Sequence, residues 1–131
     1  METALRPLGP DAVIIGHSLG GSAALQWIAN RAPGFRAHSF LGLAIPHWGP
    51  EGWNYSGFCP PDGYAAATTG LGRLILAAAL DDEIVEPSHL DLYARDLPQA
   101  RLFRLADGGH NFSSPSILPL LRAIVHLKPL D

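Results

Sequence analysis

Short apolar runs alternate with helical patterns along this chain, and that alternation decides its fold class. The runs predict strands at residues 11–15, 40–45, 73–80 and 101–105. Helical spacing of apolar residues runs from Ser22 to Ala32, from Ser88 to Leu97 and from Ile117 to Leu127. This order predicts one α/β domain over residues 1–131, with a mainly parallel sheet of about four strands flanked by helices. The first run is predicted to be buried on both faces of the sheet.

The long segment at residues 46–72 fits neither pattern. It holds many of the chain's 14 glycines and 12 prolines, and it separates the second predicted strand from the third. Because glycine and proline mark turns and loops, we predict a short, irregular, cap-like excursion from the domain. Cys59 lies within it and is the chain's single cysteine, so no intramolecular disulfide can form.

Composition and charge exclude several classes of protein. Apolar residues make up 47% of the chain and charged residues 16%, which excludes a wholly disordered chain. The net charge is −3 without basic runs, so we expect no nucleic-acid partner. The apolar stretch at residues 74–80 is far shorter than the ~20 residues that cross a bilayer, so we expect no membrane span. The single cysteine and the absence of a targeting signal predict a cytoplasmic location.

The pentapeptide Gly16-His17-Ser18-Leu19-Gly20 fits the pattern G-x-S-x-G between the first predicted strand and the first predicted helix. Its glycines allow a sharp turn without Cβ clashes, so the Ser18 hydroxyl stands above the strand end as a candidate nucleophile. The start of the helix offers free N–H groups, and we expect that of Leu19 to bind a developing oxyanion. The alternative is a glycine-rich turn that only packs a helix against a strand.

A serine hydroxyl needs a base, and the base needs a third group that orients it. Asp81 and Asp82 follow the third predicted strand, and His110 follows the fourth. Because the carboxyl ends of parallel strands meet at one edge of a sheet, we expect these groups level with Ser18. Either aspartate can act as the orienting group, and the spacing to the Ile-Val pair that follows favours Asp82.

Three further residues have two interpretations each. His47 and Trp48 end the second predicted strand, and they either line a substrate pocket or anchor the loop that follows. Asp107 either serves the site or shapes the turn before Gly108, as aspartate often does. The histidines show no spacing typical of metal ligands, and no dinucleotide or phosphate-loop pattern occurs. We therefore expect no metal and no cofactor.

Three segments together resemble the α/β-hydrolase family. They are Val-Ile-Ile-Gly-His-Ser-Leu-Gly-Gly at 13–21, Asp-Asp-Glu-Ile-Val-Glu-Pro at 81–87 and Gly-Gly-His-Asn-Phe at 108–112. They are similar to that family's nucleophile, acid and histidine segments, and the likeness is to the C-terminal half of the fold. It implies Ser18 as nucleophile, Asp82 as acid and His110 as general base, in the family's chain order. It also places residues 46–72 where many members carry a cap.

These patterns and the resemblance predict a serine hydrolase with a truncated α/β-hydrolase fold. We expect it to cleave a small carboxylic ester or thioester through an acyl-enzyme on Ser18, and transfer of the acyl group to an alcohol would use the same residues. The resemblance also implies a second oxyanion donor on a segment before the nucleophile strand, for which residues 1–10 offer no matching loop. Loss of one such donor typically lowers the rate by ~10²–10³.

The strands that precede the nucleophile strand in the family have no match in this sequence. Residues 12–15 are then an apolar edge strand, which invites pairing with a second copy or with a partner chain. A start assigned too late is another explanation of the missing strands. The alternative function is therefore a weakly active or inactive hydrolase that serves as a binding or assembly module.

Overall fold

A computed structural model describes residues 9–31 and 34–125 of the chain. Its strands are β1 (Val13–His17), β2 (Ala37–Leu43), β3 (Leu71–Ala79) and β4 (Arg101–Leu105). Its α-helices are α1 (Leu19–Arg31), α2 (Ser88–Asp96) and α3 (Leu118–Val125). Short 3₁₀ helices lie at Ser56–Phe58, Tyr64–Gly70 and Pro115–Ile117. None of the helices in these ranges is long and apolar enough to cross a membrane.

The strands form one parallel sheet in the order β1-β2-β3-β4. In this register Gly16 pairs with Gly42, and Leu41 pairs with Ile75. Because all strands run in the same direction, the loops that follow them meet at one edge of the sheet. The parallel sheet of four strands with flanking helices agrees with the prediction from the alternating sequence pattern.

Apolar side chains fill both faces of the sheet. On one face, Phe40 and Leu76 pack with Ile28 of α1 and Tyr93 of α2. On the other face, Leu120 of α3 packs with side chains of β2 and β3. Complete burial of one such side chain contributes roughly 1.5–3 kcal/mol. The two central strands are therefore the most firmly held part of the sheet, and β3 carries the loop that contains Asp82.

β1 differs from its prediction. Ile14 is buried, but the side chains on the opposite face are exposed, Val13 to 44% and Ile15 to 54%. The prediction that this strand is buried on both faces is therefore wrong. The physical reason is that β1 lies at the edge of the described sheet, while α3 packs over β2 and β3. β1 is therefore an apolar edge strand of the described sheet.

Two residues with positive φ set element boundaries that periodicity does not reveal. Ser18 has φ of 53°, and α1 begins directly after it at Leu19 instead of at Ser22. Ala44 has φ of 51°, and β2 ends directly before it, so this strand spans 37–43 instead of 40–45. Left-handed backbone interrupts both helices and strands, which explains the sharp ends.

The other boundaries shift by a few residues. β3 spans 71–79 instead of 73–80, α2 ends at Asp96 instead of Leu97, and β4 spans 101–105 as predicted. The last helix begins with a 3₁₀ turn at Pro115–Ile117 and continues as α3, and its predicted end at Leu127 lies outside the described residues.

The excursion between β2 and β3 packs closely on the helices. Its first residues, from Pro46 to Gly49, are buried, and its last 3₁₀ helix, Tyr64–Gly70, contacts α1. Because β3 begins at Leu71, the irregular segment ends two residues earlier than predicted. Buried anchor residues at its start indicate a segment that is fixed to the domain.

The two glycines of the pentapeptide have different roles, which predicts different effects on stability. A Cβ at Gly16 would lie 2.6 Å from the Gly21 Cα atom, whereas a Cβ at Gly20 meets nothing within 4 Å. We expect Gly16→Ala to lower the free energy of unfolding by ~1–3 kcal/mol, because α1 must shift away from β1. Gly20→Ala is the matched control and should be neutral or stabilising by up to ~1 kcal/mol. Urea unfolding of both variants measures this, and equal effects would contradict the close-packing argument.

Candidate active site

A sharp turn between β1 and α1 presents the Ser18 side chain at the carboxyl edge of the sheet. The backbone N–H of Ser18 donates to the carbonyl of Leu43 at 2.8 Å, which fixes the turn to the neighbouring strand. The Ser18 carbonyl accepts from the N–H of Ser22 at 3.1 Å, so α1 starts at once. Positive φ at a residue with a side chain costs on the order of 1–3 kcal/mol, and this surrounding structure holds it in place.

Of the three residues expected to form a triad, His110 lies within hydrogen-bond distance of both Ser18 and Asp82. His110 Nε2 lies 2.9 Å from Ser18 Oγ, and His110 Nδ1 lies 2.9 Å from Asp82 Oδ2. Ser18 and His110 are 92 positions apart in the chain. The parallel sheet brings them together because their loops leave its same edge. The side chain of His110 is 12% exposed and that of Asp82 only 1%.

The two adjacent carboxylates at the end of β3 have different partners. Asp82 Oδ1 accepts from the backbone N–H groups of Ile84 at 2.8 Å and Val85 at 2.9 Å, which leaves Oδ2 for His110. Asp81 Oδ1 accepts from the backbone N–H of Gly109 at 2.9 Å. Asp82 therefore contacts the histidine ring, and Asp81 holds the loop that carries it.

The loop after β4 is shaped by left-handed backbone and short polar contacts. Gly108 and Gly109 have φ of 114° and 63°, and Phe112 has φ of 52°. Asp107 is exposed, and hydrogen bonds from the side chains of Ser114 and Ser116 hold the pKa of its carboxyl below the ordinary value. These contacts are those of a residue that shapes the turn.

Comparisons with known proteins identify solved structures that share this architecture. No model of a protein family and no curated protein matches the chain. The ydeN gene product from B. subtilis superposes with a TM-score of 0.74 and 17% identity, over 96% of this chain and 72% of that chain. An esterase domain from a Rhodothermus marinus protein gives 0.64 and 19%, over 93% and 62%. The methylesterase protein MES16 from Arabidopsis gives 0.63 and 19%, over 95% and 75%.

The chain has the α/β-hydrolase fold. It spans 62% to 75% of the lengths of these three structures, so the truncated α/β-hydrolase fold predicted from the sequence is confirmed. Identities of 17–19% support the fold, and the activities in the names of these proteins remain theirs.

Leu19 occupies the first position of α1, directly after the serine. The first four N–H groups of an α-helix lack an acceptor within the helix, and the helix dipole adds partial positive charge there. The Leu19 N–H therefore lies at the positive end of α1, next to Ser18 in the sequence. Its part in oxyanion binding stays a prediction.

His47 and Trp48 anchor the start of the excursion. Trp48 Nε1 donates to Ser22 Oγ at 2.8 Å, and His47 Nε2 lies 2.7 Å from Asp96 Oδ2. The backbone N–H of His47 donates to His89 Nδ1 at 2.8 Å. Both residues also line a cavity of about 310 Å³. These contacts favour the anchoring interpretation, and the role of His47 and Trp48 in substrate binding stays a prediction.

Asp96 is the centre of this anchor. Partial burial opposes its ionisation, but hydrogen bonds from His47, Tyr64 and Arg95 outweigh burial and keep the pKa of Asp96 below its ordinary value. The Tyr64 hydroxyl donates to Asp96 Oδ2 at 2.9 Å, and burial together with that carboxylate raises the pKa of Tyr64. The ionised carboxylate of Asp96, at the end of α2, therefore binds the excursion through both His47 and Tyr64.

Sequence patterns missed several residues that shape the site. His17 occupies a variable position of the pentapeptide, yet its ring contacts the His110 loop. Ser22, His89 and Asp96 carry no motif, and only the folded chain brings them to the excursion. Within residues 9–31 and 34–125, no group of three or more histidine, cysteine or acidic side chains is arranged to hold a metal ion.

The buried His89 predicts a pH dependence of stability. Burial, and then the nearby His47, lower the pKa of His89 below its ordinary value, and its Nδ1 must stay unprotonated to accept the His47 N–H. The neutral folded form is then stabilising above the unfolded-state pKa of about 6.5, and this contribution is lost as the pH falls below that value. His89→Asn keeps an acceptor near Nδ1 but does not titrate. We expect the free energy of unfolding to fall less between about pH 7.5 and pH 5 for His89→Asn than for wild type; equal falls would refute the assignment.

Proposed function

We propose that this chain is a serine hydrolase that cleaves a small carboxylic ester or thioester. The observation that carries the proposal is the chain of contacts from Ser18 Oγ through the His110 ring to Asp82, with 2.9 Å at each step. A nucleophile within reach of a base, which is itself held by a buried carboxylate, is the arrangement that acyl transfer requires. The fold agrees, since two of the structural neighbours are named an esterase domain and a methylesterase.

In the acylation half, Ser18 Oγ attacks the carbonyl carbon of the ester or thioester. His110 Nε2 takes the hydroxyl proton as the C–O bond forms, and Asp82 keeps the other proton on Nδ1 and stabilises the imidazolium. The N–H of Leu19 donates to the oxyanion of the tetrahedral intermediate. That intermediate collapses, the alcohol or thiol leaves with the proton from His110, and the acyl group remains on Ser18.

In the deacylation half, water attacks the acyl-enzyme. His110 takes a proton from the water, a second tetrahedral intermediate forms on the same oxyanion donor, and Ser18 leaves with that proton. The product is a carboxylic acid, and the free enzyme is restored. An alcohol in place of water gives a new ester by the same steps, so the residues serve hydrolysis and acyl transfer alike.

A second candidate function is supported by the exposed edge of β1. Val13 and Ile15 are about half exposed on a strand whose outer backbone edge has no partner strand in the described sheet. Such an edge is a template for pairing with another chain. We propose that residues 12–15 dock a second copy or a partner polypeptide, in which case the chain acts as a binding or assembly module.

An active-site probe separates these two candidates. A fluorophosphonate should label wild type on Ser18, because His110 activates that hydroxyl. Ser18→Ala and His110→Ala should react at least about 10³-fold more slowly, since the residues act as a unit. Ser56→Ala, which changes an exposed serine elsewhere, is the matched control and should react as wild type does. Mass spectrometry of the labelled peptide, with circular dichroism to verify folding, gives the readout. A folded wild type that does not react rules out the hydrolase and leaves the assembly module.

The neighbouring aspartates give a matched pair of variants. Asp82→Asn should lower kcat for p-nitrophenyl acetate by about 10³–10⁴-fold, because an amide opposite Nδ1 favours the wrong histidine tautomer. Asp81→Asn should lower kcat less than about tenfold, because its amide oxygen still accepts the Gly109 N–H. Equal losses, or a larger loss for Asp81→Asn, would show that Asp82 is not the orienting acid.

A further inference from the structure

His17, which ends β1, contacts the loop that carries His110. Its Nε2 atom lies 2.8 Å from the backbone carbonyl oxygen of His110. A carbonyl oxygen only accepts hydrogen bonds, so Nε2 of His17 must carry the hydrogen and donate it. We infer that His17 is a positioning residue that holds the His110 backbone, and with it the imidazole, in register with Ser18. This inference rests on the hydrolase function proposed above.

The ring of His17 also packs against the same loop. Its centroid lies 4.9 Å from that of His110, with the planes at 51°, and 6.3 Å from that of Phe112, with the planes at 80°. Phe112 is buried and has a left-handed backbone, so the loop turns sharply at this point. The ring of His17 therefore packs near two rings of the loop, those of His110 and Phe112, in addition to its hydrogen bond.

The loop is held from two strands. Asp81 and Asp82 hold it from the end of β3, through Gly109 and the His110 ring, whereas His17 holds it from the end of β1. β1 is also the strand that ends directly before the nucleophile. The bond from His17 therefore couples the position of the base to the strand that fixes Ser18, which neither carboxylate does.

The effect of this bond is expected on the chemical step. Proton transfer from Ser18 Oγ to His110 Nε2 needs a heavy-atom distance near the 2.9 Å observed, and small misplacements of such groups lower rates strongly. His17 is exposed, so its replacement leaves the buried core intact. We therefore expect variants at position 17 to lower kcat while KM and the unfolding midpoint change little.

Three substitutions separate the hydrogen bond from ring packing. His17→Gln places an amide N–H close to the position of Nε2 and keeps the donor. His17→Asn places it near Nδ1, too short to reach the carbonyl, and His17→Phe keeps the ring without a donor. With p-nitrophenyl acetate, we expect kcat to fall about tenfold for His17→Asn and His17→Phe, and less than about threefold for His17→Gln.

Three kinetic results would overturn the inference. One is a kcat within twofold of wild type for all three variants, and another is a His17→Phe enzyme that retains kcat while His17→Gln loses it. The second result would assign the role to ring packing alone. The third is a raised KM with an unchanged kcat, because it would show that His17 contacts the substrate instead of positioning His110.

A measurement without substrate keeps this test separate from that of the proposed function. In protein labelled with ¹⁵N-histidine, the neutral ring of His17 should be found as the Nε2–H tautomer, because only that form donates to the His110 carbonyl. Observation of the Nδ1–H tautomer would contradict the inference, whether or not the chain is an enzyme. If wild type is folded and His17 is the Nε2–H tautomer, but the fluorophosphonate does not react, the proposed hydrolase fails and the structural contact stands.

Discussion

The close approach of two backbones, Gly16 at the end of β1 and Gly21 in α1, is the constraint on which the site depends. A side chain at Gly16 would collide with the Gly21 Cα atom at 2.6 Å. A larger residue at position 16 would push α1 away from β1. The turn at Ser18, with φ of 53°, depends on α1 beginning directly after the strand. The turn in turn directs the Ser18 hydroxyl to the sheet edge and places the N–H of Leu19 at the positive end of a helix dipole.

Parallel strand order supplies the rest of the constellation. Ser18 follows β1, Asp82 follows β3 and His110 follows β4, so three loops leave one edge of the sheet and meet there. The central strands are held by complete burial of side chains such as Phe40 and Leu41 on opposite faces. A rigid sheet thus replaces local sequence contacts as the means of fixing distances between residues that are far apart in the chain.

The sequence predicted the features that local chemistry determines, and it missed those that arise from long-range packing. Strand periodicity located all four strands, and the pentapeptide located the turn before α1. The apolar run alone predicted a strand buried on both faces, because an apolar strand looks the same whether or not a helix covers it. The resemblance, which lacks the strands before the nucleophile strand, predicted an apolar edge there, and Val13 and Ile15 are exposed. The pair His47–Asp96 spans 49 positions and has no motif, so only the folded chain reveals it.

The exposed face of β1 links the two candidate functions. Side chains alternate along a strand, so Val13, Ile15 and His17 lie on the same face, and all three are exposed. A chain that docks on the two apolar residues would therefore lie beside His17 as well. Excluding water there would strengthen the bond from His17 to the His110 carbonyl, because hydrogen bonds are stronger in a medium of low dielectric constant. If both proposals hold, assembly at this edge and catalysis at Ser18 would be coupled through the side chain of His17, and docking would hold His110 more firmly.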